Sequence, residues 1–113
     1  MRDEIEAIVG LARELMQEDP GRGLSTVREM LERLEAEPPG PRRSRALAWL
    51  FLARARLALA TGKLPEAYAA WLSGYAYARS TLDAEAFRLA AELEERLRNA
   101  RLARPPKRRK HRR

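Results

Sequence analysis

The sequence predicts an all-α fold, and three features carry that prediction. Apolar residues recur at steps of three and four along five separate segments, the spacing of one helical face. Strand formers are scarce, with two Val and two Ile in 113 residues and no alternating run. Pro and Gly gather between the segments, at 19–23, 38–41 and 62–65. A chain of this length is also close to the size of one domain, so one helical core is expected.

The first helix is read over 3–18, where Ile5, Ile8, Val9, Ala12, Leu15 and Met16 share a face and Asp3, Glu4 and Glu6 complement the dipole in the first turn. Asp19-Pro20-Gly21-Arg22-Gly23 is read as a turn. The second helix follows over 24–37, with Leu24, Val27, Leu31 and Leu34 inward, and Pro38-Pro39-Gly40-Pro41 ends it. A third helix over 43–61 is apolar on most sides, as suits the centre of a bundle. Gly62 is placed to cap it, and Pro65 sits in the first turn of a fourth helix over 64–79. There Leu64, Tyr68, Trp71, Tyr75 and Ala78 form a stripe expected to face the third helix, with Tyr77 about 120° away from Trp71 and exposed. Ser80-Thr81-Leu82-Asp83 supplies a break with capping oxygens. Ala86, Phe87, Ala90, Leu93, Leu97 and Ala100 define the fifth helix, whose outer side carries Glu92–Arg96 and Glu94–Arg98 at the spacing of solvated ion pairs.

Charge divides the chain at residue 103. The net charge is +7, from 23 Lys and Arg against 16 Asp and Glu, and seven of those cations lie in 104–113 with no anion. Residues 1–103 are therefore balanced, and the tail carries the whole excess. The two units expected are a helical domain, 1–103, and a disordered basic tail, 104–113. With no cysteine, disulfides, thiolate catalysis and Cys-ligated metals are excluded, and the single His111 falls in the tail. The acidic first residues lack the apolar run of a signal peptide, and the most apolar run, 46–60, is interrupted by Arg54 and Arg56. A cytoplasmic protein with no membrane span is expected. Twenty of the cations are Arg, a bias compatible with a GC-rich genome and with life at high temperature.

The two halves of the helical region repeat. Leu24, Val27 and Leu31 correspond to Leu64, Ala67 and Trp71 at a uniform offset of 40 residues. Each copy is a helix, a Gly-containing turn and a second helix, and over about residues 5–80 this resembles the tetratricopeptide repeat. Gly62, Ala67 and Trp71 match that family's turn glycine and its small-then-aromatic pair, and Phe51 matches its first-helix aromatic. In the first copy Pro39 fits, and Leu11, Leu15, Leu24, Val27 and Leu31 are apolar where required. Arg54, Ala55 and Ala58 depart from the pattern, and the period exceeds the family's ~34 residues. The resemblance implies two helical hairpins with the fifth helix as a polar-backed cap, and a surface for protein partners. A plain five-helix bundle stays open beside it.

The strongest candidate for function is the tail. Arg104, Lys107, Arg108, Arg109, Lys110, Arg112 and Arg113 follow or flank two prolines, with nothing apolar to fold around. If about five of them engage duplex phosphates, the salt slope is about −4.5, a several-hundred-fold loss of affinity from 50 to 200 mM salt. A second candidate is the stripe Arg45, Trp49, Leu52 and Arg56 on the third helix. It either lines a groove with guanidinium groups around an indole, or consists of two core residues beneath two arginine stems. Residue burial preferences favour the second arrangement.

No Gly-rich phosphate loop, HExxH motif or Ser near a candidate base is present, so no enzyme activity, cofactor, metal or small-molecule substrate is expected. The function expected is binding. In one form the tail anchors the protein to RNA or DNA and the body adds a surface through Arg42, Arg43, Arg45 and Arg56. In the other the body is a protein-binding adaptor or homodimer and the tail is incidental.

Overall fold

A computed structural model describes residues 2–17 and 19–103, with side chains for 7–17 and 19–101. Five helices follow in order: α1 (Arg2–Leu15), α2 (Pro20–Glu35), α3 (Pro41–Ala60), α4 (Leu64–Thr81) and α5 (Ala84–Ala103). No strand is present among the described residues. The fold is all-α.

Proline opens three of these helices, because its fixed φ suits the first turn and its missing N–H is not needed there. At α2 this moves the boundary. Asp19 caps the helix by accepting from the Gly21 N–H at 3.0 Å, so Pro20 to Gly23 are its first turn and not the turn expected. Gly23 is there for space. A Cβ on it would sit 2.9 Å from the Leu15 carbonyl oxygen and 3.2 Å from Leu57.

The α3–α4 connection forms as the sequence suggests. Gly62 takes φ +78, its N–H donates to Leu59 O and the Lys63 N–H donates to Ala58 O, satisfying carbonyls left over at the end of α3. Leu82, at φ 56, ends α4 in the same left-handed conformation without the ease of glycine. Asp83 then caps α5 by accepting from the N–H groups of Glu85 and Ala86 at 3.1 and 3.2 Å.

Helix α3 is the hub, buried nearly all round from Ala46 to Ala58. It packs most extensively on α4, then on α2 and α1, and also reaches α5, whereas α1 and α2 touch each other little. The α3–α4 pair owes its closeness to small residues. Ala67, Ala70, Gly74 and Ala78 face α3, and a Cβ on Gly74 would lie 2.8 Å from the buried Leu52 side chain. The aromatic stripe expected to face α3 is displaced from that contact. Trp71 is buried and donates to Ala90 O of α5 at 2.8 Å, but Tyr68 and Tyr75 stay 47% and 37% exposed. Tyr77, expected outside, is half-buried and stacks on Phe51 at 6.0 Å.

Candidate functional site

The arginines of α3 sort the surface into structural and available parts. Four of them, Arg43, Arg45, Arg54 and Arg56, are half-buried. Arg43 Nε donates to Leu34 O at 2.9 Å, placing a cation at the C-terminal end of α2. Arg54 Nε donates to Glu66 Oε2 at 2.9 Å, and Arg28 of α2 donates to both oxygens of the same carboxylate at 2.7 and 3.1 Å. One glutamate on α4 therefore ties down α2 and α3. The Arg28 hydrogen bond, opposed by burial and reinforced by Arg54 and by both charges, holds Glu66 below the usual carboxylate range, and the same bond raises Arg28.

Arg45 belongs to a second lock. Its Nε donates to Asp83 Oδ2 at 2.8 Å, and Trp49 Nε1 donates to the same oxygen at 3.0 Å while Oδ1 caps α5. Burial pushes the Asp83 carboxyl up, but the bonds from Trp49, Arg45 and the Ala86 N–H, with the Arg45 charge, outweigh it and hold the group below its ordinary range. From α1, Arg13 lies 4.9 Å over the Trp49 ring and pairs with Glu85, so the lock joins α1, α3 and α5.

These contacts match the second arrangement of the stripe, core residues beneath arginine stems, and not the groove. Trp49 is 3% exposed and Leu52 is fully buried beneath Gly74, so neither offers a face to a ligand. Arg45 is held by Asp83, and the stripe is core covered by arginine stems at one end and a cleft at the other. That cleft has a volume of about 190 Å³ and is lined by Met16, Pro20, Arg56, Leu57, Leu59, Ala60 and Arg96. Arg56 comes from α3 and Arg96 from α5, and neither has a carboxylate partner among the described residues.

Arg96 is the residue sequence reasoning missed. The expected Glu92–Arg96 pair does not form, whereas Glu94–Arg98 does, at 3.5 Å. The signal was angular: Arg96 lies about 90° from the centre of the buried stripe of α5, at the border of the core. The tail residues Arg104, Lys107, Arg108, Arg109, Lys110, Arg112 and Arg113 lie outside the described residues. Of the body cations expected at a nucleic-acid surface, Arg43 and Arg45 are engaged within the fold, and Arg56 opens on the cleft.

Among the described residues no group of three or more His, Asp or Glu is placed to hold a metal ion, and no helix is long and apolar enough to cross a membrane. No protein-family model, curated protein or solved structure matches the chain. Fold and site together define a small all-α protein with a guanidinium-lined cleft and an appended basic segment. The likeness to tetratricopeptide repeats rests on the motif residues alone.

Proposed function

We propose that the protein is a non-catalytic nucleic-acid-binding protein whose basic tail anchors it to phosphate backbones. One observation carries this reading: the helical body is charge-balanced and the entire +7 excess lies in 104–113. The placement of Arg96, Arg101 and Arg56 supports it, since these arginines lie on α5, which ends at Ala103, or line a cleft with it, and none meets a carboxylate among the described residues. Phosphate contacts supply affinity without sequence preference, so selectivity falls to the body. The test is fluorescence anisotropy with labelled single-stranded RNA and duplex DNA, comparing the full chain with a chain ending at Ala103. The tail reading requires at least a tenfold loss of affinity on truncation, and equal affinities overturn it.

A second reading, a protein-binding adaptor or self-associating scaffold, is favoured by the outer face of α4. Tyr68, Leu72 and Tyr75 lie on one stripe of that helix, 47%, 47% and 37% exposed. Light scattering of the purified chain separates the two. A stable dimer that survives tail removal supports the scaffold, and a monomer at all concentrations removes the homodimer.

A further inference from the structure

Three of the four half-buried arginines on α3 have an oxygen acceptor within the fold, and Arg56 is the fourth. Partial burial strips water from a guanidinium, so such a group is ordinarily matched to a carboxylate or carbonyl. Arg56 instead lines a cleft where, among the described residues, the other charged lining residue, Arg96, has the same sign. Two like charges lining one cleft from α3 and α5 repel each other, and an anion between them turns that repulsion into attraction. The rest of the lining is Met16, Pro20, Leu57, Leu59 and Ala60, so the cleft offers cations and an apolar wall together.

We infer that this cleft is a nucleotide subsite in which Arg56 and Arg96 hold one phosphate and the base lies against Met16 and Leu59. The volume suits that ligand. An apolar cavity of about 150 Å³ holds one benzene ring, so about 190 Å³ takes a pyrimidine-sized ring with its phosphate at the mouth. The position suits it as well. Arg96 lies seven residues before the end of α5 at Ala103, about 10 Å along the helix axis, so a strand seated here passes close to where the tail begins. The identity of the ligand rests on the nucleic-acid reading above, and the place of the site rests on the cleft.

Methyl NMR tests it directly, because the chain has three methionines and, of the two described, Met16 lines the cleft and Met30 does not. The full chain, labelled with ¹³C at the methionine methyls, is titrated with uridine 5′-monophosphate. The Met16 methyl is expected to shift saturably while Met30, on α2, stays in place, and Arg56→Gln or Arg96→Gln is expected to weaken the apparent affinity about tenfold. Partial recovery with Arg56→Lys is expected from its charge alone. An unmoved Met16 overturns the proposal, as does an affinity unchanged from the parent in both Gln variants or inorganic phosphate binding as tightly as the nucleotide. The failures are distinguishable. Oligonucleotide binding without any Met16 response overturns the cleft and leaves the tail, whereas a Met16 response without oligonucleotide binding by the tail does the reverse.

Discussion

Replacing Asp83 by Ala removes the acceptor shared by α3 and α5. The helix cap costs about 1 kcal/mol when an aspartate becomes alanine. The Trp49 indole N–H, on a ring 3% exposed, is left without an acceptor at a cost of about 1–2 kcal/mol. The Arg45 pair, partly screened by solvent, adds about 0.5–1 kcal/mol. Because these losses share one carboxylate they do not add fully, and about 3 kcal/mol in total is expected. For a domain of this size that lowers Tm by about 12–24 °C. Asp83→Asn has one acceptor oxygen where Asp has two, so with that oxygen on the cap its NH₂ faces the Trp49 and Arg45 donors. The cap is kept, the indole acceptor and the charge are lost, and about 2 kcal/mol is expected. Thermal melts followed by circular dichroism, with Arg45→Ala as a third variant, decide the matter. An Ala variant melting within about 3 °C of the parent refutes the lock, and an Asn variant as damaged as the Ala one refutes the share given to the cap.

The helical glycines separate by what surrounds them. Gly74→Ala places a Cβ 2.8 Å from Leu52 and 3.1 Å from its backbone nitrogen, so a loss of about 1–2 kcal/mol is expected despite the better helix propensity. Gly10→Ala meets nothing within 4 Å and is expected to gain about 0.5–1 kcal/mol, and urea titrations showing the same sign for both would contradict the packing described. Acid weakens the fold in a defined window. Asp83 and Glu66 are both depressed in the folded state, so the stability they contribute is complete above the unfolded carboxylate pKa of about 4 and is lost as pH falls through the lower folded values. Tm measured from pH 6 to pH 2 should fall below about pH 4 and fall less in Asp83→Asn and Glu66→Gln, and parallel curves for all three would reject both assignments.

Local chemistry made much of the fold legible. Gly62 and Pro65 announce the α3–α4 turn because positive φ and a first-turn proline are properties of single residues. The same reasoning misplaced the start of α2, where Pro20, Gly21 and Gly23 look like a turn but serve as a proline-led first turn and a close-approach site. Helix α4 was misread for a different reason. Periodicity finds a face but does not say which of two neighbours it meets, and the face against α3 is made of Ala and Gly because that contact is tight. The site followed the same pattern. Seven cations in ten residues are visible in any reading, but that Arg45 is committed depends on Asp83, which is distant in sequence and adjacent in space.

The central claim is that the tail is the phosphate anchor, and its most direct test is the salt dependence of binding. The affinity of the full chain for duplex DNA and for single-stranded RNA, from 50 to 200 mM salt, is compared with that of the chain ending at Ala103. With about five phosphates neutralised, log–log slopes of about −4.5 on duplex and about −3.5 on single strands are predicted. Truncation should leave no slope steeper than about −1, the share of the one phosphate held by the two cleft arginines. Equal slopes for the two chains, or no binding by the full chain at 50 mM salt, would contradict the claim.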